Sequence, residues 1–355
     1  MPRKSENIIG KKYGKLTVIK QISNSTHGNK YLCKCECGNE KEVIKSNLKS
    51  GRTTSCGCAR KKPRSKLKIN IEKIVVKKES DLTADNYYSV ESNIKYVSAS
   101  QYSDFFGHRL GLQKGCECYA LAKMRGEVTE PITTPMIVGS YVDAYFEGTL
   151  DKFVAEHPEI LSTRGETKGE LKSDYKQADT MIKRAERDPL FMKYMAGDKQ
   201  VIMTGEIEGI KCKIKIDSTD GNRITDLKTV KNLHETFFVQ TSGERVNFIE
   251  WWQYDRQLAL YREIYRQNTG EKLPCFICAI SKDKTDRIPH PRIAVIEIPP
   301  QQMDARLIEI KQNITHIQCL KDKVYDPVPC GSCDYCADTL PIDRVIAPDE
   351  LMLEM

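Results

Sequence analysis

The sequence has no apolar run long enough to cross a membrane. None of its segments approaches the roughly 18 apolar residues that a span requires, and the opening residues MPRKSENIIGKK lack the apolar core of a signal peptide. Its 21 glycines and 15 prolines are few for 355 residues, and we find neither an internal repeat nor a low-complexity tract. These absences exclude a membrane-spanning, fibrous or globally disordered protein, so we expect a globular cytoplasmic protein of two or three domains.

Charge is distributed unevenly along the chain. Residues 1–80 carry 21 lysines and arginines against 6 acidic residues, whereas the remaining residues carry 35 against 43. A basic segment ahead of a mildly acidic body predicts a nucleic-acid-binding appendage on a separately folded unit. A solvated basic linker is the alternative. Residues 59–81 are predicted to be such a linker, because ARKKPRSKLK is dominated by basic residues and can also lie along phosphates.

Hydrophobic periodicity predicts a mixed α/β protein. Residues 1–58 contain the strand patterns YGKLTVIKQI and KYLCKCEC, residues 82–340 form the larger domain, and residues 341–355 form a tail. In the larger domain, helices are predicted at residues 98–124, 135–146, 170–186, 248–267 and 300–320. Strands are predicted at residues 201–217, 223–230, 274–281 and 292–298.

Fourteen cysteines in a reducing compartment favour metal sites over disulfides. Spacing by two places Cys33, Cys35 and Cys37 on one face of a strand, and SCGC adds Cys56 and Cys58. Two short cysteine pairs predict a zinc ribbon, in which four thiolates close a tetrahedral Zn²⁺ site. We predict Cys35, Cys37, Cys56 and Cys58 as the ligands because both pairs then have the form C-x-C. Cys33 is the spare thiol in this interpretation, and a set of free buried thiols is the alternative.

The stretch GIKCKIKIDSTDGNRITDLKTV predicts a hairpin that carries acidic residues. Alternation buries one face of the first strand and leaves three lysines and Asp217 on the other, and the return strand places Asp226 beside Lys228. A surface ion pair on a hairpin would give the same D-x-K pattern. On the helix predicted at 248–267, Gln257 and Tyr261 are four residues apart and share a face.

In this order, the five residues resemble the motifs of PD-(D/E)xK nucleases of the RecB and RecE exonuclease type. The resemblance implies a restriction-endonuclease-like core in which Asp217 and Asp226 bind Mg²⁺ or Mn²⁺. It also implies that Lys228 acts on the attacking water or on the charge of the phosphorane, and that Gln257 and Tyr261 position the DNA backbone.

These nucleases commonly carry G-x-x-x-H on an upstream helix, with the histidine on the metal. Here VGSYVDAYFEG offers Gly139 and then Asp143. Because a carboxylate is an acceptable ligand for Mg²⁺, Asp143 is predicted to take the place of the histidine. A solvated helix aspartate is the alternative.

A second cysteine set lies in PVPCGSCDYCADT, where Cys330, Cys333 and Cys336 are spaced C-x-x-C-x-x-C. Helicase-nucleases of the AddB type join one early cysteine to three late ones through a [4Fe–4S] cluster, and this arrangement is similar. Cys116 is the early ligand implied, because CECYALA resembles a segment of phage and prophage exonuclease-VIII-like proteins. The late spacing is shorter than usual in that family, which leaves a second Zn²⁺ open. Cys212, Cys275 and Cys278 are predicted to be core residues.

The N-terminal segment also resembles a small zinc-binding module of phage proteins through YGKLTVI, CECGNE and SGRTTSCGC, which implies association with DNA. The hypothesis from the sequence is therefore a metal-dependent exonuclease that acts at duplex DNA ends in phage or prophage recombination, in the cytoplasm of a bacterium or a phage-infected cell. Expected partners are double-stranded DNA ends, a single-strand annealing recombination protein and further copies of the chain, without a membrane. The alternatives are a non-catalytic DNA-binding or recruitment protein and an endonuclease of the same fold.

Overall fold

The computed structural model describes residues 7–23, 29–56, 58, 81–108, 110, 115–285, 288–342 and 345. Contacts divide the chain into two compact units, Met1–Ile74 and Val75–Met355. The predicted basic linker, apart from residue 81, and most of the predicted tail lie outside the described residues, so the predicted domain limits stay predictions. Among the described residues, no helix is both long enough and apolar enough to span a bilayer.

The N-terminal unit contains a small antiparallel sheet followed by a short helix. In sheet order its strands are β1 (Lys12–Tyr13), β2 (Leu16–Ser23), β3 (Lys30–Cys35) and β4 (Glu40–Ile44), and helix α1 (Lys45–Lys49) follows. Leu16, Val18 and Tyr31 pack in its core with Leu48 from α1. The prediction that one strand carries all three cysteines from 33 to 37 is wrong, because β3 ends at Cys35 and the chain then turns.

The larger unit is a five-stranded sheet with helices on both faces. Its helices are α2 (Val90–Lys95), α3 (Ala99–Phe106), α4 (Glu117–Met124), α5 (Thr134–Glu147), α6 (Leu150–Glu156), α7 (Ser173–Glu186), α8 (Pro189–Met195), α9 (Phe248–Trp251), α10 (Tyr254–Thr269), α11 (Pro300–Lys321) and α12 (Asp334–Thr339). Its strands are β5 (Asp198–Ile207), β6 (Ile210–Thr219), β7 (Ile224–Val230), β8 (Thr236–Val239), β9 (Glu244–Asn247), β10 (Cys275–Ser281), β11 (Lys284–Thr285), β12 (Ile288–Pro289) and β13 (Ile293–Ile298). The main sheet has the order β13-β10-β7-β6-β5, in which β7 and β10 are parallel and the other neighbours are antiparallel. The predicted mixed α/β fold is confirmed.

Strand β10 shows how the two faces of this sheet are covered. Its sequence CFICAIS is nearly continuous in apolar residues, as expected for a strand that is buried on both sides. Ile277 packs in one core cluster with Leu258 from α10, whereas Cys278 packs in another with Val142 from α5. The sheet is therefore fixed by packing from both directions.

Two predicted elements are divided in the structure. The segment predicted as one helix at 98–124 forms α3 and α4. Helix α3 is followed directly by Gly107, whose φ of +100° favours glycine. The segment predicted as one strand at 201–217 spans the hairpin of β5 and β6. There the chain turns at Glu208 and Gly209, which have φ angles of +49° and +77°.

Lys213 was predicted to lie on the polar face of its strand but is buried, with 1% of its surface exposed. Its Nζ donates hydrogen bonds to the Tyr87 carbonyl at 2.5 Å, to Ser92 Oγ at 2.9 Å and to Asn93 Oδ1 at 2.7 Å. Burial lowers the pKa of Lys213 to about 8. Three hydrogen-bond acceptors thus replace the water molecules that the ammonium group loses on burial. Through these bonds, Lys213 connects the segment around α2 to strand β6.

Candidate active site and cysteine centres

A cleft of about 340 Å³ opens beside strands β6 and β7. Its lining includes the six residues that the sequence analysis assigned to a nuclease site, namely Asp143 from α5, Asp217 from β6, Asp226 and Lys228 from β7, and Gln257 and Tyr261 from α10. The structure thus brings together side chains from four elements.

Asp226 is the most buried carboxylate of this cleft, with 1% of its surface exposed. Lys228 Nζ lies 2.6 Å from its Oδ2 as an ion pair, and Gln257 Nε2 donates to its Oδ1 at 2.9 Å. Burial raises the pKa of Asp226 to about 7, although the Lys228 ammonium favours the charged form. The chemistry of this carboxylate suits a hard cation, which prefers carboxylate oxygens.

Two further carboxylates lie near Asp226. Asp217 Oδ2 accepts a hydrogen bond from the Leu227 amide at 2.9 Å, which holds this carboxylate against β7. Asp143 is half-buried, and burial together with the Asp217 carboxylate raises its pKa. Helix α5 approaches β7 closely at Gly139, where an added Cβ would lie 3.3 Å from Thr229 Oγ1. Gly139 and Asp143, four residues apart, are therefore both directed towards the strand that carries Asp226.

The carboxylates are less tightly grouped than the thiols of this protein. Within the described part of the chain, the ligand groups whose atoms all lie within 4.8 Å of one another are two sets of four cysteines. The Asp226 carboxylate forms an ion pair with Lys228, and the Asp217 carboxylate accepts a hydrogen bond from the Leu227 amide. The oxygen donors nevertheless match the preference of Mg²⁺ and Mn²⁺ for carboxylates, so these residues fit such a cation.

Gln257 contacts Asp226 directly, and Tyr261 contacts Gln257. The Gln257 amide donates at 2.9 Å both to Asp226 Oδ1 and to Tyr261 Oη, and Tyr261 is 8% exposed. The helix predicted at 248–267 is interrupted before these residues. Gln253, with φ at +55°, separates α9 from α10. A role in positioning DNA phosphates stays a prediction for both residues.

The sequence analysis missed several residues that line this cleft. The ring centroid of Tyr254 lies 4.8 Å from Lys228 Nζ, and its position one turn before Gln257 on α10 could have indicated it. Lys215 lies two residues before Asp217, so its side chain is on the same side of β6. Tyr87 and Tyr88 come from outside the predicted elements, and no local signal identified them.

The first cysteine set consists of Cys35, Cys37, Cys56 and Cys58, whose sulfur atoms all lie within 4.8 Å of one another. The Sγ atoms of Cys35 and Cys58 are 3.5 Å apart, and those of Cys37 and Cys56 are 3.2 Å apart. Cys33 is fully buried in the apolar core of the small sheet, and its Sγ lies 3.8 Å from the Tyr31 carbonyl oxygen. The four sulfurs form a site suited to Zn²⁺ or an iron–sulfur cluster, with Cys33 outside it.

Matched cysteine variants would test this ligand set. Cys35→Ser should reduce the metal content of the full chain by one equivalent and destabilise the N-terminal unit, because metal binding and folding of such small sites are coupled. Cys33→Ser should keep the full metal content, since its sulfur is a core atom. Elemental analysis of the purified proteins measures both. Equal metal loss in the two variants would contradict the assignment.

The second set consists of Cys116, Cys330, Cys333 and Cys336, again with all four sulfurs within 4.8 Å. Cys116 directly precedes α4, Cys333 directly precedes α12, and the Sγ atoms of Cys116 and Cys336 are 3.5 Å apart. Cys118 lies two residues from Cys116 but does not belong to the set. Four soft thiolates suit Zn²⁺ or an iron–sulfur cluster, and they join segments that are far apart in the sequence.

Comparisons with known proteins agree with this geometry. A family model described as a PDDEXK-like domain of unknown function (DUF3799) matches residues 98–339, which include the six predicted site residues of the cleft and the second cysteine set. A solved structure from Eubacterium rectale, described as a putative exonuclease, is 40% identical to this chain. The similarity covers 78% of this chain and 100% of that one, with a TM-score of 0.71. No curated protein matches the chain. The match over residues 98–339 shows that the chain belongs to the family of PDDEXK-like domains.

Proposed function

We propose that this protein is a metal-dependent exonuclease that hydrolyses phosphodiester bonds at the ends of duplex DNA. The observation that carries the proposal is a cleft in which the buried Asp226 carboxylate pairs with Lys228 and lies with the carboxylates of Asp143 and Asp217. The similarity to the Eubacterium rectale protein supports cleavage from an end.

Asp143, Asp217 and Asp226 would hold Mg²⁺ or Mn²⁺ through their carboxylate oxygens. When bound, such a cation lowers the pKa of a water molecule and offsets negative charge on the phosphate. Burial lowers the pKa of Lys228, but the carboxylates of Asp226 and Asp217 outweigh this effect and raise it above its usual value. Lys228 therefore stays protonated at neutral pH and is suited to stabilise charge that develops on the phosphate.

Gln257 would act as a positioning residue for Asp226. Its amide is shared between Asp226 Oδ1 and Tyr261 Oη, so one carboxylate oxygen is held in place while Oδ2 stays on the side of Lys228. This arrangement supports catalysis because preorganised groups need little rearrangement as charge develops.

The N-terminal unit would bind DNA with little sequence preference. Its support is the excess of lysine and arginine over acidic residues in residues 1–80 and the closed set of four cysteines, in which we propose Zn²⁺. For the second cysteine set we propose a [4Fe–4S] cluster, with Zn²⁺ as the other species that fits. We extend the proposal to DNA-end processing in phage or prophage recombination, with a single-strand annealing protein as partner and the bacterial cytoplasm as setting.

A comparison of linear with closed circular duplex DNA tests this function. With Mg²⁺, the full chain should shorten an end-labelled linear duplex progressively and leave the circle intact, because a circle has no end. Cutting of the circle would show an endonuclease instead. No cleavage of either substrate with Mg²⁺ or Mn²⁺ would favour a protein that only binds DNA.

A further inference from the structure

An exposed aromatic ring stands at the mouth of the catalytic cleft. Tyr88 is 68% exposed although it lines the same cleft as Asp217 and Asp226. The preceding Tyr87 is buried, and the two rings meet edge to face with their centroids 4.9 Å apart. The buried ring thus supports the exposed one and leaves much of the Tyr88 surface open to solvent.

The ammonium group of a lysine lies beside this ring. Lys215 Nζ is 5.0 Å from the Tyr88 ring centroid, and it belongs to the same strand as Asp217, two residues earlier. Within the described ranges no acidic residue forms an ion pair with Lys215, unlike Lys228, which pairs with Asp226. The Lys215 ammonium therefore remains available to an anion that enters the cleft.

The backbone under the two tyrosines is held by several hydrogen bonds. The Tyr87 carbonyl accepts hydrogen bonds from Lys213 Nζ at 2.5 Å and from Ser92 Oγ at 3.1 Å. The Tyr88 carbonyl accepts one from Asn93 Nδ2 at 3.3 Å. An exposed side chain on a fixed backbone loses less conformational freedom when it binds a ligand, so these bonds favour a binding role for Tyr88.

We propose that Tyr88 and Lys215 form a nucleotide-holding site at the cleft mouth, in which the Tyr88 ring stacks on a DNA base and the Lys215 ammonium pairs with the adjoining backbone phosphate. The proposal rests on the nuclease function and names its substrate class. A base inside a duplex is covered on both faces by its neighbours, whereas an unpaired base can stack on a side chain. The site therefore selects DNA ends with an unpaired terminal base over fully paired blunt ends.

Steady-state cleavage of linear DNA with an unpaired end or a blunt end tests the site. Tyr88→Ala should raise the KM for the unpaired end by about 10-fold and leave kcat within about twofold, as expected for the loss of one base–aromatic stack. Tyr88→Phe should behave like the wild type because it keeps the ring. Lys215→Gln should raise KM and make binding less dependent on salt. Tyr325→Ala is the matched control, since Tyr325 is 39% exposed and does not line the cleft.

A fluorescence measurement separates failure of this site from failure of the nuclease function. In full-length Asp226→Asn protein, which should leave DNA intact, an unpaired terminal 2-aminopurine should lose fluorescence on binding, and adding Tyr88→Ala should abolish this loss. Unchanged KM and unchanged quenching in folded Tyr88→Ala protein, or equal effects in Tyr325→Ala, would overturn the proposal. Absence of cleavage by the wild type would refute the nuclease function alone, because the quenching experiment would still decide whether Tyr88 stacks on a base.

Discussion

Asp226→Asn should abolish cleavage of linear DNA in a protein that remains folded and still binds DNA. The amide keeps the size of the side chain and can still accept the hydrogen bond from Gln257, but it removes the anionic oxygen that lies 2.6 Å from Lys228. Because a hard cation depends on such an oxygen, we expect the rate to fall by about 10³-fold or more. DNA binding should be unchanged or stronger, since one negative charge is lost near the phosphates.

The neighbouring variants should separate two roles in the same cleft. Asp217→Ala and Asp143→Ala should lose both Mn²⁺ binding and cleavage. Lys228→Ala should keep Mn²⁺ but lose turnover, because its charge matters most as negative charge develops on the phosphate. Calorimetric titration with Mn²⁺ and end-labelled duplex assays measure the two properties. Asp174→Asn, at an exposed position of α7, is the control for loss of a surface carboxylate.

Two results would contradict this assignment. Cleavage that persists in Asp226→Asn and Lys228→Ala would place the active site elsewhere. Wild-type activity in Asp143→Ala would mean that this residue, at the place of the histidine of RecB-type nucleases, is not a metal ligand. Thermal unfolding of each variant must accompany the assays, because Asp226→Asn removes the partner of Lys228, which is only 19% exposed at its side chain.

Cys336→Ser should destabilise the entire larger unit and remove its bound metal. Cys336 is 1% exposed, and its sulfur lies near that of Cys116, so the centre ties the segment before α4 to the segment around α12. Structural metal sites of this kind contribute on the order of 10 kcal/mol to folding, which is comparable with the total stability of a typical domain. We therefore expect the variant to unfold far below the melting temperature of the wild type or to fail to fold.

Cys118→Ser is the matched control for this experiment. It changes a half-buried cysteine two residues from Cys116 that lies outside the set, so metal content and unfolding temperature should stay close to those of the wild type. Anaerobic purification followed by iron, sulfide and zinc analysis identifies the species. A wild-type protein that holds no metal beyond the N-terminal site would refute the second centre.

The sequence alone was enough to predict which side chains lie next to each other on one strand or one helix. Residues two apart on a strand share a side, which placed Asp226 beside Lys228, and residues four apart on a helix share a face, which placed Gln257 beside Tyr261. The C-x-C spacing likewise selected the four N-terminal cysteines that the structure brings together. The strand and helix relations depend only on the repeat of the backbone, whereas the cysteines were selected by the matching form of their two pairs, since β3 ends at Cys35.

Contacts between side chains of different helices and strands depended on the tertiary structure. Lys213 belongs to an alternating strand, yet it is buried because the segment around α2 supplies three acceptors for its ammonium. Gln257 contacts Asp226 because α10 packs beside β7, and Lys213 on β6 holds the carbonyl of Tyr87, the residue before Tyr88. These contacts join residues that are 31 and 126 positions apart. Their positions are decided by how helices and strands pack to bury apolar surface, and local periodicity carries no information about that packing.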